Sequence, residues 1–163
     1  MKNNFYKIIL FIFFLSSFNT YASDPFNFDV TEVEILEEGN KFIGLKKGTV
    51  TSDNGIVIDA NRFEYDKITN ILIAIGEVKV NDTVNNNLIF TDKIIYDKSN
   101  EIIYTKQNSK GTSLNDSVEI NATDFEYNVP KNIIIAKEKV VIINKIKDYK
   151  IFSELVTYFK NEE

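Results

Sequence analysis

Tyr65, Tyr96, Tyr127 and Tyr158 stand 31 residues apart, three times in succession. The residues before each tyrosine move with it. Ile58-x-Ala60-x-x-Phe63-x-Tyr65 recurs as Ile89-x-Thr91-x-x-Ile94-x-Tyr96, as Ile120-x-Ala122-x-x-Phe125-x-Tyr127, and as Ile151-x-Ser153-x-x-Val156-x-Tyr158. A polar turn follows each of the first three tyrosines, at 66–70, 97–100 and 128–132, and an apolar run follows each turn, at 71–75, 102–104 and 133–136. Asx residues, Pro and Ser favour such reversals through side-chain hydrogen bonds or a fixed φ. A chain built this way folds as a stack of similar units, each leaning on its neighbours.

Helical repeats have similar periods, but the local pattern rejects them. Apolar residues alternate at spacing two and are rich in Ile, Val, Phe and Tyr, the types that suit a pleated, half-buried surface. Val78, Val80 and the pair Val140 and Ile142 continue the alternation, while Asp53-Asn54-Gly55 signals a tight hairpin and Asn85-Asn86-Asn87 a polar loop. The fold class is therefore all-β. Within each unit the alternation changes phase: Ile58 and Ala60 have one parity, Phe63 and Tyr65 the other. A straight strand would send these pairs to opposite faces. An extra residue at Asn61-Arg62, and again at Asp92-Lys93, Thr123-Asp124 and Glu154-Leu155, would restore one face, which is what a β-bulge does. Each unit then reads as a strand that bends, turns after its tyrosine and returns. The expected inner face comprises Ile58, Ala60, Phe63, Tyr65, Ile89, Ile94, Tyr96, Ile120, Phe125 and Tyr127.

Residues 1–22 stand apart from the repeat. Lys2 and Lys7 precede an apolar run at 8–15, and Thr20-Tyr21-Ala22 leads to Ser23, as in a secretory signal peptide cleaved after Ala22. The apolar core is short for an uncleaved anchor, since a bilayer needs ~20 apolar residues. The expected organisation is a signal peptide at 1–22 and one repeat domain at 23–163. Removal of the signal takes away two positive charges and no negative ones, so a net charge of −5 becomes −7 on 141 residues. An acidic chain with a single arginine, Arg62, lacks the basic footprint of a nucleic-acid binder. With no Cys and no His, thiol catalysis, the usual triads and thiolate or imidazole metal sites are excluded. The expectation is a protein that is not an enzyme, with no cofactor and no metal.

The run Ile58-Asp59-Ala60-Asn61-Arg62-Phe63-Glu64-Tyr65-Asp66 through Ala74-Ile75-Gly76-Glu77-Val78 resembles the OstA-like domain of the lipopolysaccharide-transport (Lpt) proteins. The resemblance covers about residues 30–163. The third copy has Glu138 in place of Gly76, and the second has Gln107 and Ser109 in place of Gly76 and Val78, so the second return strand is expected to be the least regular. The resemblance implies an antiparallel β-jellyroll, open along one seam, whose apolar interior holds acyl chains of lipopolysaccharide through its lipid A part. It implies a place in the periplasm, in association with the outer membrane in some members. It also implies partnership with other OstA-like Lpt proteins through edge strands, or with further copies of the same chain. Two roles stay open within it: a free-standing bridge protein, or the N-terminal domain of the outer-membrane assembly protein.

Plainer readings accompany these. The inner set serves equally as a structural core that never meets lipid. Asp59, Asp66, Asp92, Asp97 and Asp124 fit a solvated face and turns better than a calcium site, which needs converging oxygens. No carboxylate pair is marked for glycoside hydrolysis. The six lysines of 131–150 read as a basic solvated edge. The fourth unit has reached only its turn at Tyr158, so its strand is expected to lie at an unpaired edge, which recruits other strands, or else to continue in a longer chain.

Overall fold

The structure, a computed structural model, describes residues 24–113 and 117–159. The expected signal peptide lies outside the described residues. Twelve strands account for most of the rest: β1 (Phe26–Leu36), β2 (Lys41–Ser52), β3 (Ile56–Ala60), β4 (Arg62–Asp66), β5 (Ile71–Asp82), β6 (Asn87–Asp97), β7 (Ile102–Lys106), β8 (Ser109–Ser113), β9 (Val118–Ala122), β10 (Asp124–Asn128), β11 (Ile133–Asn144) and β12 (Tyr149–Phe159). A single 3-10 turn, Glu37–Gly39, joins the first two strands. β3 and β4 are two halves of one pass of the chain, as are β7 and β8, and β9 and β10. Every pass pairs antiparallel with the passes before and after it, so the sheet is a meander.

Each pass bends in the middle, and both halves face one core. The parity change is real: Ile58, Ala60, Phe63 and Tyr65 are all buried, with Asn61 exposed between them. The extra residue, however, is not at Asn61-Arg62. Inner residues on β3 and β4 jump by three, from Ala60 to Phe63, whereas on β5 they jump by four, from Ala74 to Val78. The returning strand therefore carries the surplus. Gly76 and Glu77 together oppose the single Asp92 of β6, because Ile75 pairs with Lys93 and Val78 with Thr91. Glu138 and Lys139 stand likewise opposite Glu154, and Lys46 and Lys47 opposite Thr31.

The bulges force left-handed backbone, and it repeats. Lys46 (φ 71°), Glu77 (49°), Asn108 (49°) and Lys139 (52°) share one position of the 31-residue period, preceded in the last three by Gly76 (81°), Gln107 (68°) and Glu138 (63°). Only Gly76 adopts this region without a Cβ penalty of roughly 1–2 kcal/mol. The turns at the two ends of each pass also use it, at Gly39, Asn70, Glu101 and Asn132 and at Gly55, Asn86, Ser117 and Asp148. Asp66 accepts the Thr69 and Ile68 N–H groups in one such turn, which holds its carboxyl below the usual range.

Candidate functional site

All ten residues expected on the inner face meet in one core, and none is more than 3% exposed. β3 and β4 supply Ile58, Ala60, Phe63 and Tyr65; β6 supplies Ile89, Ile94 and Tyr96; β9 and β10 supply Ile120, Phe125 and Tyr127. The returning strands complete the wall with Leu72, Ala74, Val78 and Val80 of β5, Ile103 of β7, and Ile134, Ala136 and Val140 of β11. β1 adds Phe26, outside the repeat pattern, whose ring packs edge-on against Tyr65 and Tyr96 at 5.0 and 5.6 Å. These side chains fill the space they enclose. The cavity between Asn87, Gly111, Val118, Ile120, Ile134 and Tyr158 measures about 10 Å³, room for one water at most.

Bending brings the two ends of each pass together along a seam, and polar side chains close it. The Tyr96 hydroxyl bonds Asn54 of the β2–β3 turn, where Asn54 Nδ2 donates at 2.9 Å. Beside it, Lys98 is buried between Asp53 at 2.7 Å and Glu101 at 3.1 Å. Burial works against the Lys98 charge, but the two carboxylates outweigh it and hold the ammonium above its ordinary range. One repeat further on, the Tyr127 hydroxyl donates to Asp82 Oδ2 at 2.5 Å and accepts from Asn87 Nδ2 at 3.1 Å. Burial, and then the neighbouring Asp82, push the Tyr127 phenol upward, and burial does the same at Tyr96. Tyr65 is satisfied locally by Asn70 Oδ1 at 2.9 Å. Asn54 and Asn85 each lie 42 residues before the tyrosine they bond, and Asn87 adds a second donor to Tyr127 from 40 residues before it. Among the described residues no strand pairing crosses the seam, as expected of an open one; the side chains at Tyr96 and Tyr127 bridge it.

The core reaches solvent at the two ends of the stack. Phe28, Val30 and Phe42 half-cover one end; Val118, Ile142, Val156 and Tyr158 half-cover the other. Among the described residues, β1 pairs only with β2 and β12 only with β11. Both edge strands carry exposed apolar side chains, Ile35 and Leu36 on one and Phe152, Leu155 and Phe159 on the other.

The second return strand is the irregular one, as expected. It breaks into β7 and β8 at Gln107 and Asn108, opposite the break between β9 and β10 at Thr123. Inner positions that are Ala60, Ala74 and Val78 in the first copy, and Ala122, Ala136 and Val140 in the third, are Thr91, Thr105 and Ser109 in the second. All three hydroxyls are buried and bonded: Thr91 to the Gln107 carbonyl at 2.8 Å, Thr105 to Ser109 at 2.5 Å, and Ser109 to the Thr123 carbonyl at 3.0 Å. Sequence reading noted Gln107 and Ser109 but missed the cluster, which a comparison of copies at period 31 would have found. The aspartates considered as calcium ligands have other partners: Asp59 receives Thr49, Asp92 receives Asn108, and Asp124 pairs with Lys106.

No family model and no curated protein matches the sequence. Solved structures do match the fold. One is LptH of Pseudomonas aeruginosa, described as the LptA-homologous periplasmic component of the conserved lipopolysaccharide transport device; it is 9% identical, with a TM-score of 0.63 over 85% of this chain and 96% of that one. At that identity the likeness concerns architecture alone: the chain has the antiparallel β-jellyroll fold of this periplasmic Lpt component.

Proposed function

We propose that the chain is a periplasmic lipopolysaccharide carrier of the Lpt type, exported by its N-terminal signal and acting without catalysis. The observation that carries this is the shared jellyroll over nearly the whole of LptH, a periplasmic component of a lipopolysaccharide transport device. The repeat supports it from the other side. An enzyme concentrates its special residues in one place, whereas this core repeats an aromatic or aliphatic residue and then a tyrosine in every copy, Phe63 and Tyr65, Ile94 and Tyr96, Phe125 and Tyr127, with hydroxyls lining only the second bend. An acyl chain gains roughly 0.8 kcal/mol for each methylene taken out of water into such a face. Because the interior is filled, loading requires the two halves of the bent sheet to part, or chains to lodge where the core meets solvent at its ends. The exposed apolar edges β1 and β12 suit strand addition by another OstA-like protein or a second copy, extending the interior from one molecule to the next.

The test places a photo-crosslinking side chain at Phe63 or Phe125, and at outward-facing Asn61 or Thr51, with folding checked by circular dichroism. Lipid A should crosslink from the inner pair alone. Equal labelling at both pairs would defeat the facing, and no labelling at any position in folded protein would leave only a scaffold. Sedimentation should show association that is lost when Phe152 and Leu155 are replaced by Lys.

A further inference from the structure

The second bend differs from the others in its wall as well as its lining. Between β7/β8 and β9/β10 the pairing runs through Tyr104 with Glu126 and resumes at Ser109 with Ala122. Thr105 to Asn108 thus face Thr123 to Phe125 without pairing to them, although Thr105 and Lys106 pair with β6 and Asp124 and Phe125 with β11. The corresponding gap between β9/β10 and β11 is narrower, from Asn121 with Val141 to Asp124 with Lys137. Side chains stand in for the missing backbone bonds: the Phe125 N–H donates to Thr105 Oγ1 at 2.6 Å, and the Gln107 N–H to Asp124 Oδ1 at 3.3 Å.

Over this break lies an open groove of about 670 Å³, within the ~300–1,000 Å³ typical of ligand clefts. Its polar lining comes from Gln107, Asn108, Asn121, Thr123, Lys110 and Lys139; Asn108 and Asn121 each donate once, to Asp92 at 2.8 Å and to Glu119 at 3.0 Å, which leaves the second amide hydrogen and the amide oxygen of each. Lys110 is paired with Glu119 at 2.9 Å, whereas Lys139 makes no ion pair among the described residues. Amides and hydroxyls both donate and accept, the chemistry that recognises sugar hydroxyls, and an ammonium adds a point charge for phosphate. Lys139 also borders a second recess of about 350 Å³ whose apolar part is Val140, Val141 and Phe152. Groove and recess share Lys139, and Ser153 and Glu154 complete the recess beside its three apolar residues; a polar part and a more apolar part that meet at a lysine have the layout of an amphiphile, with its head in one and the base of a chain in the other.

We propose that the groove over the broken second bend binds the phosphorylated-sugar head of an amphiphile. The identity of that amphiphile rests on the carrier reading above; the site itself does not. The mature chain, isotope-labelled for NMR, is titrated with glucosamine 1-phosphate, with inorganic phosphate and with dispersed lipid A. Glucosamine 1-phosphate should shift the amide signals of Asn108, Asn121 and Thr123. Lys139→Glu should weaken that binding roughly fivefold; Lys46→Glu, at the same repeat position on β2, should leave it unchanged. Equal effects of the two substitutions, or no shifts at the groove, would overturn the site. Inorganic phosphate acting as strongly as the sugar phosphate would reduce it to an anion site and overturn the sugar. If lipid A crosslinks to the core while the sugar phosphate leaves the groove silent, the site falls and the carrier stands. If the sugar phosphate binds and lipid A does not, the reverse holds.

Discussion

Removing the Tyr127 hydroxyl should cost about twice what removing the Tyr65 hydroxyl costs, although the two tyrosines hold the same place in the repeat. Tyr127 donates across the seam to Asp82, which is buried and retains Val84 N–H, Asn85 N–H and Asn85 Nδ2 at 2.8–2.9 Å once the phenol is gone. A buried hydrogen bond to a charged acceptor contributes about 2 kcal/mol. Tyr65 bonds the neutral Asn70 within its own turn, a bond worth about 1 kcal/mol. At about 3–4 °C per kcal/mol for a domain of this size, Tyr127→Phe should lower Tm by about 7 °C and Tyr65→Phe by about half as much. Urea denaturation of both variants measures the difference, with unchanged m-values showing that the denatured state is the same. A double-mutant cycle with Asp82→Asn isolates the seam bond and should give a coupling of at least ~1 kcal/mol. Equal losses for the two tyrosines, or no coupling in the cycle, would refute the claim that the seam holds the halves together through this pair.

Two further outcomes follow from the same geometry. Glu138→Gly should raise stability by roughly 1 kcal/mol, since it relieves a left-handed side chain, while Gly76→Ala should lower it, its Cβ falling 2.9 Å from Asn61 Nδ2; denaturant midpoints moving together rather than apart would contradict this. Stability should also fall in alkali. Lys98, Tyr96 and Tyr127 all keep their protons to higher pH when folded, so their contribution is complete below about pH 10 and each retained proton costs about 1.4 kcal/mol per pH unit above it. Chemical denaturation between about pH 8 and 11 should show the decline, and a flat profile would sink the assignment.

How much of this was legible in the sequence depends on which interactions are local. The 31-residue period and the parity switch from Ala60 to Phe63 survive in side-chain identity, so the all-β class, the bent passes and the ten inner residues could be read directly. The place of the extra residue could not, because three of the four bulges carry Lys46, Gln107 and Glu138 in backbone that normally announces itself by glycine. The seam was equally hidden: Asn54 and Tyr96 lie 42 residues apart, and only the bending of two successive passes brings them together. Phe26 was missed because β1 precedes the repeat and joins the core by packing rather than by pattern.

The hydroxyl cluster of the second copy tests whether a repeat fails residue by residue or as a unit. Thr105→Ala alone removes the acceptor of the buried Phe125 N–H, at a cost of about 2 kcal/mol for an unpaired donor. Ser109→Val alone takes a donor from the Thr123 carbonyl, and Thr91→Ala takes one from the Gln107 carbonyl. If these losses simply added, the combined variant would lose more than ~3 kcal/mol, a large share of a small domain's stability. Yet Thr91→Ala, Thr105→Ala, Gln107→Gly and Ser109→Val together rewrite the second bend with the residues of the first, Ala60, Ala74, Gly76 and Val78. There the Asn61 N–H bonds the Gly76 carbonyl at 3.0 Å and no side chain needs to intervene. The fourfold variant should therefore be about as stable as the parent, with apolar groups where hydroxyls were buried. It should also lose its response to glucosamine 1-phosphate, because a regular bend closes the groove. Additive destabilisation in the fourfold variant would show that the second copy is held irregular by its neighbours and not by its own three hydroxyls.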